Sequence, residues 1–270
     1  MIEHNPITGD PIIVAPDRSG RPNIFRNDDE VCPFCAGHEA LTPPEIARVG
    51  EPWRVRVFPN KYPATELHEV IVESPRHDDT FDAIAHAGDA VQTYVERYRA
   101  MSRDAAHVTI FKNHGAMAGA SLPHLHSQII GTSFVPPRIE REIAAFGERC
   151  ALCDVADEPL IRETDNYRWI APRGSMFAYE QWIVPKRHAP EIEAPRELPE
   201  MMQASVRGMR SVADAFNWIF MNFPRAPRAH WYLQLFPRLA VHAGFELGSG
   251  SAINAIDPQR AAETFRPSAR

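Results

Sequence analysis

The sequence predicts an α+β fold in which two related repeats form one or more antiparallel sheets flanked by helices. Three observations support this prediction. One set of motifs occurs twice along the chain in the same order. Short β-branched or aromatic runs, typical of strands, alternate with longer segments in which apolar residues recur at helical spacing. The 25 prolines among 270 residues favour many short connections over a few long helices.

Each copy of the repeat begins with a Cys-x-x-Cys pair and ends with a His-x-[His/Tyr]-x-Gln motif. Between them lie an aromatic segment, a run that ends in Arg-His, an amphipathic segment and a short strand. The first copy contains CPFC (32–35), FPNKYP (58–63), HEVIVESPRH (68–77), VTIFKN (108–113) and PHLHSQII (123–130). The second contains CALC (150–153), DNYRWI (165–170), YEQWIVPKRH (179–188), WIFMN (218–222) and AHWYLQLF (229–236). Matches at so many positions indicate an internal duplication.

The elements of each copy are predicted in the order strand, strand, helix, strand, strand. VIV, VTIF, WIV and WIF are the strand-like runs. The first helix is predicted from the spacing of Phe81, Ile84, Ala85, Val91, Tyr94, Val95 and Tyr98. The second is predicted from Met202, Ser205, Val206, Met209, Val212, Ala213 and Phe216, with Pro199 in its first turn. A short helix at RIEREIAAF (138–146) follows the boundary that we expect between domains 1–134 and 135–270.

The charge and hydropathy of the chain exclude some classes of partner. The net charge is −6 and the pI is about 6.1, so no broad basic face for nucleic acid is expected. No apolar run approaches the length that crosses a membrane, and the N-terminal segment does not resemble a signal peptide. We therefore expect neither nucleic acid nor a membrane as a partner, and a cytoplasmic location.

The four cysteines predict two metal sites. They form two tight pairs, and in a reducing compartment such pairs hold a metal more often than a disulfide. Each copy also supplies two histidines that complete a closed tetrahedron typical of structural zinc. The predicted ligand sets are Cys32, Cys35, His77 and His124, and Cys150, Cys153, His188 and His230. Iron remains possible in one site, and His242 competes with His230 for the second. A redox dithiol would call for a surrounding βαβ pattern, which is not evident.

The two copies differ at the position that we expect to carry the chemistry. Copy one has His126 where copy two has Tyr232, and His126 is not claimed by a metal in this assignment. An imidazole can attack phosphorus and divide one difficult displacement into two easier ones. Gln128 shares the strand face of His124 and His126 and can donate to a phosphate oxygen. The preceding small-residue loop can bring backbone N–H groups and the Ser121 hydroxyl against phosphates.

The segment NHGAMAGASLPHLHSQ (113–128) resembles the active-site segment of galactose-1-phosphate uridylyltransferases, a branch of the histidine-triad superfamily. Family counterparts also exist for CPFC, FPNKYP and HEVIVESPRH, so the resemblance extends over nearly the whole chain. Towards the termini the matching segments are APDRSGRP (15–22) and HAGFELGSGSAIN (242–254).

The resemblance implies a ping-pong reaction in which His126 attacks the α-phosphorus of a nucleotide sugar and holds the nucleotide covalently. A sugar 1-phosphate leaves, and a second phosphate acceptor takes the nucleotide. Gln128 and Ser121 would assist catalysis, and the C-terminal half would provide support and sugar-side contacts. The resemblance also implies a homodimer. The substrate-binding residues that it implies are Arg18, Arg21, Asn60, Lys61, Asn113 and Glu246.

Three departures from the family pattern leave the base, the sugar and the acceptor open. Leu125 replaces the proline usually found between the two histidines, and no basic residue occurs in Leu239-Ala240-Val241. GFELGSGSAIN also resembles the adenylyl branch, such as ADP-glucose phosphorylase. The leading hypothesis is transfer between UDP-glucose and a hexose 1-phosphate, and the alternative is a phosphorylase of an ADP-sugar or a dinucleoside polyphosphate. A non-catalytic, zinc-stapled nucleotide-binding protein is the alternative of another class.

Overall fold

A ten-stranded antiparallel sheet forms the centre of the molecule. The computed structural model describes residues 1–20, 31–148, 150–193 and 196–269. A separate hairpin consists of β1 (Ile2–His4) and β2 (Pro11–Ile13). The first half supplies β3 (Ala47–Val49), β4 (Val55–Pro59), β5 (Leu67–Val72), β6 (His107–His114) and β7 (His126–Thr132). The second half supplies β8 (Leu160–Glu163), β9 (Tyr167–Ile170), β10 (Gln181–Pro185), β11 (Phe216–Met221) and β12 (Tyr232–Pro237).

The strand order has an approximate two-fold symmetry. Along the sheet the strands lie in the order β3-β4-β5-β7-β6-β11-β12-β10-β9-β8. The two halves meet at the central pair β6–β11, where Phe111 lies opposite Ile219. On each side of this pair the same succession of strands follows outwards. The duplication predicted from the sequence therefore appears as one continuous sheet, because each half covers the open edge of the other.

Two long helices cover one face of the sheet. They are α1 (Ala87–Met101) and α3 (Glu197–Arg210), one from each half, and α5 (Pro258–Phe265) packs beside α3. Their apolar faces and the inward residues of the strands form one large core that includes Ile71, Ile110 and Trp218. None of the helices in these described ranges combines the length and the apolar character needed to cross a membrane.

The opposite face of the sheet carries two smaller apolar clusters, one for each half. Phe34, Phe58 and Val70 belong to the first cluster, and Leu152, Val184 and Tyr232 belong to the second. The short helix α2 (Pro137–Ala145), predicted at 138–146, packs Ile139 into the second cluster. Because side chains alternate along a strand, Val70 and Val72 face this side while Ile71 faces the helices. The sheet thus separates a helical side from a side that each Cys-x-x-Cys turn covers.

The α+β class is confirmed, but several element boundaries differ from the prediction. Helix α1 begins at Ala87, so Phe81 and Ile84 lie in a preceding turn, where Phe81 packs edge-on against Trp218. Helix α3 ends at Arg210, and Phe216 belongs to β11. In each of these cases burial against the sheet produced an apolar spacing that imitates a continued helix.

Each half has three strands before its helix, where the sequence predicted two. The additional strands β3 and β8 are the outermost strands of the sheet and contain three and four residues. Strands this short carry too few side chains for an alternating pattern to be recognised. The expected domain boundary between residues 134 and 135 falls in the connection from β7 to α2 and stays a prediction.

Candidate active site

A compact loop between β6 and β7 leads to the candidate nucleophile. Gly115 and Gly119 have φ angles of 81° and 83°, which L side chains rarely adopt, and they bracket a short 3-10 turn at Ala116–Ala118. A Cβ atom on Gly115 would lie 2.9 Å from the Cβ of Ala215, so glycine is also needed there for a close approach of the two halves. Glycine at these two positions therefore permits a path of the loop that other residues would disfavour.

His126 is the first residue of β7 and its ring orientation is set by a hydrogen bond. Its Nδ1 lies 2.7 Å from the main-chain oxygen of His124, which can only accept, so Nδ1 carries the hydrogen. The lone pair is then on Nε2. A neutral imidazole in this tautomer has a free nucleophilic nitrogen, because the other nitrogen is held by the backbone. Phe34 packs against the ring, with 5.2 Å between ring centroids.

The pKa of His126 favours the neutral, nucleophilic form. Burial, together with the smaller effect of the nearby Lys112 ammonium, lowers it to about 3. The side chain is 7% exposed, so the ring is almost enclosed but still reaches a cavity.

This cavity has a volume of about 440 Å³, which is large enough for a ligand of the size of a nucleotide. Its walls are mostly apolar, with a smaller set of polar groups that includes His126. The apolar lining includes Pro33, Phe34, Leu41, Phe58, Val70 and Leu122. The polar lining includes Asn60, Lys61, Ser121, His126 and Gln128.

Gln128 points into the same cavity and is oriented by His68. The backbone N–H of Ala64 donates to Nδ1 of His68 over 3.0 Å, so the hydrogen of this ring is on Nε2. That nitrogen donates to Oε1 of Gln128 over 3.0 Å. The carbonyl oxygen of the Gln128 amide is thereby occupied, and the amide nitrogen is left to donate towards a ligand. His68 was not assigned from the sequence, although it is the first residue of the segment HEVIVESPRH (68–77).

The structure brings the first predicted set of metal ligands together. The Nδ1 atom of His124 lies 3.5 Å from the sulfur of Cys32 and 3.6 Å from the sulfur of Cys35. The sulfur of Cys35 lies 3.4 Å from Nδ1 of His77. Tetrahedral zinc with bonds of about 2.0–2.3 Å separates its ligands by roughly 3.5 Å. The second nitrogen of His124 donates to the main-chain oxygen of Ser74 over 2.8 Å, as metal-bound histidines commonly do.

The second predicted set also converges. Nδ1 of His230 lies 3.6 Å from the sulfur of Cys150 and 3.5 Å from that of Cys153, and Nδ1 of His188 lies 3.3 Å from the latter. In both sets the four candidate ligand atoms lie within 4.8 Å of one another. His230 thus completes this group, whereas His242 stacks on Phe177.

The donor sets of both groups fit a closed structural metal site. Two sulfurs and two imidazole nitrogens fill all four vertices, and zinc suits this mixture of ligands. Burial and the neighbouring Cys32 raise the pKa of Cys35 to about 11, so a cation is needed to stabilise a thiolate there. The two groups can therefore bind a metal ion such as zinc, and each would tie a Cys-x-x-Cys turn to the end of a strand.

The other predicted substrate residues are placed unequally around the cavity. Lys61 and Ser121 line it, and Arg18 donates to the main-chain oxygen of Tyr62 at its edge. Asn113 is held by Asn217, whose Nδ2 donates to its Oδ1 over 2.8 Å. Glu246 is not among the lining residues; it lies in α4 (Gly244–Ser249) and accepts from the N–H at the start of that helix. Arg21 lies outside the described residues.

Comparison with known proteins gives matches over nearly the whole chain. The family described as "Domain of unknown function (DUF4931) N-terminal domain" matches residues 18–135. An ADP-glucose phosphorylase from Arabidopsis thaliana is 28% identical, with 98% of this chain and 92% of the relative covered. A galactose-1-phosphate uridylyltransferase from Thermotoga maritima is 25% identical, with 98% and 97% covered.

Among solved structures, the ADP-glucose phosphorylase from Arabidopsis thaliana with bound ADP-glucose superposes with a TM-score of 0.83. The two chains are 27% identical, and 98% of each is covered. These matches confirm the resemblance to the galactose-1-phosphate uridylyltransferase family and its ADP-glucose phosphorylase branch, together with the α+β fold. They also confirm the prediction that the chain is an enzyme that transfers nucleotidyl groups.

Proposed function

We propose that this chain, a nucleotidyltransferase similar to ADP-glucose phosphorylase and galactose-1-phosphate uridylyltransferase over nearly its whole length, transfers a nucleoside monophosphate through His126. The donor is a nucleotide sugar, and the acceptor is a phosphate group of a second substrate. The observation that carries this proposal is the imidazole of His126, held by the backbone at Nδ1 and open to the cavity at the other nitrogen.

The proposed reaction has two displacements. In the first, Nε2 of His126 attacks the α-phosphorus, the bond from this phosphorus to the bridging oxygen breaks, and the sugar 1-phosphate leaves with that oxygen. In the second, an oxygen of the acceptor phosphate attacks the same phosphorus and the bond to Nε2 breaks. The nucleotide then leaves with the acceptor, and the imidazole returns to its starting tautomer.

Four groups around the cavity would stabilise the charge that develops on the phosphorus oxygens. Gln128 donates through its amide nitrogen, since His68 occupies its oxygen. Ser121 donates through its hydroxyl at the end of the glycine-bracketed loop. Lys61 and Arg18 supply positive charge at the edge of the cavity, where a substrate with two phosphates would need it.

Zinc is the metal that we propose for both cysteine–histidine groups, with iron as the alternative in one of them. When bound, it holds the ligand-bearing segments in place and takes no part in bond making. In the first group the ligand His124 also supplies the main-chain oxygen that orients His126. Loss of the ion would therefore be expected to disturb the nucleophile.

Two assignments of the substrates have support from the comparisons. One is transfer of uridine monophosphate between UDP-glucose and a hexose 1-phosphate, in line with the Thermotoga maritima relative, which is named a galactose-1-phosphate uridylyltransferase. The other is phosphorolysis of an ADP-sugar, as the name of the Arabidopsis thaliana relative indicates. The apolar walls of the cavity suit either base, so the choice is left to experiment.

The experiment is covalent labelling with nucleotide sugars. The protein is incubated with UDP-glucose or ADP-glucose that carries label in the α-phosphate, then denatured, and retained label is counted. We expect one of the two donors to label the protein with one nucleotide per chain. His126→Asn should abolish the label, whereas Tyr232→Phe, at the equivalent position of the other repeat, should leave it unchanged.

A chase identifies the acceptor. Addition of a hexose 1-phosphate whose sugar differs from that of the donor should release a new nucleotide sugar if the chain is a transferase. Addition of inorganic phosphate should release a nucleoside diphosphate only if the chain is a phosphorylase. Binding of nucleotide sugars without any label would instead support the non-catalytic alternative. Equal labelling of His126→Asn and the unmodified protein would also overturn the proposal.

We also propose that the chain forms a homodimer, in line with the resemblance. Several apolar side chains near Glu246 are well exposed, namely Val241, Phe245, Leu247 and Ile253. Light scattering after size-exclusion chromatography would measure the mass, and a mass of 30.4 kDa would contradict the proposal.

A further inference from the structure

We propose that a buried ion pair, Lys112 with Glu73, positions the nucleophile. Lys112 holds the main-chain oxygen of His126, and Glu73 cancels the charge of Lys112 so that the attacking ring can take up positive charge. This inference rests on the function proposed above. It concerns two residues that do not line the cavity and that were not assigned from the sequence.

The pair lies on the far side of β7 from the cavity. Nζ of Lys112 is 2.6 Å from Oε2 of Glu73 and 2.5 Å from the main-chain oxygen of His126. The two side chains are 1% and 0% exposed. The hydroxyl of Tyr94 donates to the other oxygen of Glu73 over 2.5 Å. Every oxygen of the carboxylate therefore has a donor, and the ammonium has two oxygen acceptors.

The ammonium of Lys112 lies where β6 no longer pairs with β7, although β7 still pairs with β5 through Val72 opposite His126. Pairing between β6 and β7 runs from His107 opposite Thr132 to Phe111 opposite Gln128. His126 is two residues beyond the last paired position, so β6 offers no backbone N–H to its main-chain oxygen. The Lys112 side chain supplies that donor instead, and it fixes the backbone of the nucleophile at the end of the ladder.

The second repeat, which lacks the candidate nucleophile, has an apolar residue at the position equivalent to Lys112. In each copy the terminal glutamine of the His-x-[His/Tyr]-x-Gln motif pairs with a residue of the preceding strand, Phe111 in the first copy and Ile219 in the second. The next residues along, Lys112 and Phe220, are therefore equivalent. Alignment of Asn113 with Asn222, which end the motifs VTIFKN and WIFMN, would shift this equivalence by one residue. It would place Met221, which is also apolar, at the position of Lys112.

The partner carboxylate is missing from the second repeat as well. The strand runs VIV (70–72) and WIV (182–184) are equivalent. Val70 of β5 lies opposite Gln128 of β7, and Trp182 of β10 lies opposite Gln234 of β12. Glu73 follows the first run and Pro185 follows the second, so the two are equivalent. Phe220 instead packs edge-on against Tyr94 and joins the apolar core. Both members of the ion pair thus occur only in the half that contains His126.

This difference points to a function, because a buried ion pair is a poor way to stabilise a fold. The cost of removing two charges from water often exceeds their mutual attraction, and apolar replacements of similar volume are frequently neutral or stabilising. The second repeat contains such a replacement in the same sheet. A stabilising role alone therefore does not account for the pair.

The charge balance of the pair matters for the proposed attack. When Nε2 of His126 bonds to phosphorus while Nδ1 keeps its hydrogen, positive charge spreads over the ring. An uncompensated ammonium on the far side of the strand would oppose this charge in a medium of low dielectric constant. Glu73 neutralises the ammonium within 2.6 Å and leaves the hydrogen bond to His126 in place.

The test compares single and double variants in the labelling half-reaction. At saturating donor we expect Lys112→Met to lower the single-turnover labelling rate by about 10- to 100-fold, because the nucleophile loses its position. Glu73→Gln should lower the rate more than Lys112→Met, because it leaves the ammonium uncompensated. The double variant Lys112→Met/Glu73→Leu should recover part of the rate that Glu73→Gln loses. The donor concentration at half-saturation should stay unchanged in all three.

The matched control is another ion pair of the same half. Arg97 donates to both oxygens of Glu69 over 2.7 and 2.8 Å, and it is partly buried between α1 and β5. Arg97→Met should leave the labelling rate unchanged. Rates are normalised to the folded fraction measured by circular dichroism. If Lys112→Met folds poorly, the double variant serves instead, because it leaves no unpaired charge; it lacks the donor to His126 and should still label more slowly than the unmodified protein at unchanged half-saturation.

The outcomes separate this inference from the proposed function. Absence of label in the unmodified protein would overturn the proposed function. Labelling of the unmodified protein together with wild-type rates in the Lys112 and Glu73 variants would overturn the positioning role alone. If the double variant is no faster than Glu73→Gln, the charge-cancelling role of Glu73 is wrong. A shift in half-saturation with an unchanged rate would mean that the pair affects binding and not the attack.

Discussion

Asn217 of the second half donates from Nδ2 to Oδ1 of Asn113 in the first half, over 2.8 Å. The same nitrogen lies 3.1 Å from the main-chain oxygen of Ala118. One side chain thus connects β11 to the glycine-bracketed loop that leads to Ser121 and His126. The half of the molecule without the candidate nucleophile therefore contributes to the placement of the loop beside it.

We expect Asn217→Ala to reduce labelling of His126, because the loop loses its connection to β11. The variant should also lose about 1–3 kcal/mol of unfolding free energy, since buried oxygens lose their donor. Denaturant unfolding and single-turnover labelling measure the two effects. Asn222→Ala is the matched control, since Asn222 is also buried and donates to the main-chain oxygens of Val108 and Phe220. It should lose comparable stability and keep its labelling rate; equal rates in both variants would contradict the role of Asn217.

The two glycines of the loop should differ in their response to a methyl group. Both have positive φ, but Gly119 has the left-handed helical ψ of 17°, where alanine costs about 1 kcal/mol, and Gly115 has a ψ of 157°, a region that essentially only glycine adopts. Gly115→Ala also places its Cβ against Ala215, whereas nothing lies within 4 Å of a Cβ on Gly119. We expect Gly115→Ala to lower the melting temperature clearly more than Gly119→Ala. Equal melting temperatures would show that the loop and β11 are not in close contact in solution.

Loss of the first metal site should lower both labelling and stability, whereas loss of the second should lower stability alone. Metal analysis should find about two zinc ions per chain, by the closed-site geometry, and one in either variant. Cys32→Ser removes a ligand from the group that contains His124, whose main-chain oxygen orients His126, so labelling should fall together with stability. Cys150→Ser should lower stability but leave labelling of the folded fraction intact. The reverse pattern would contradict the link from the metal to the nucleophile.

His107 predicts a pH dependence of stability that is separate from the metal sites. Burial lowers its pKa to about 4 from the ordinary value of 6.5, so the folded chain keeps this ring neutral. Between these values the unfolded chain binds a proton that the folded chain does not. The contribution is therefore complete above pH 6.5 and is lost as the pH falls to about 4.

The measurement is the unfolding free energy as a function of pH for the unmodified protein and His107→Gln. The difference between the two curves should change by up to about 3 kcal/mol over this window. Protonation of metal-binding histidines affects both proteins and cancels in the comparison. Parallel curves would show that His107 titrates normally in the folded protein.

Much of the candidate site was predictable from residue types and their order. The two Cys-x-x-Cys pairs and the Arg-His dipeptides identified both candidate ligand sets, because two thiolates and two imidazoles are the ligands typical of a closed tetrahedral zinc site. The contrast between His126 and Tyr232 indicated which half we expect to carry the chemistry. His68 and Lys112 were missed, although both lie in quoted motifs. Their roles depend on what faces them across the sheet, and strand register cannot be read from one sequence.

The position of His124 was also only partly predicted. The sequence indicated one strand face shared by His124, His126 and Gln128, but β7 begins at His126. His124 therefore precedes the strand, and its main-chain oxygen turns towards the ring of His126.

The sequence by itself determined the duplication, the α+β class, the two sets of candidate metal ligands and the single histidine that only one copy retains. These follow from the chemistry of side chains and from periodicity, which are local properties of the chain. The tertiary structure decided that the two halves share one sheet, that Lys112 and Glu73 meet behind His126, and that Asn217 holds the opposite loop. These contacts join residues between 39 and 104 positions apart. Such contacts form because buried polar groups must find hydrogen-bond partners, and those partners are fixed only once the strands have paired.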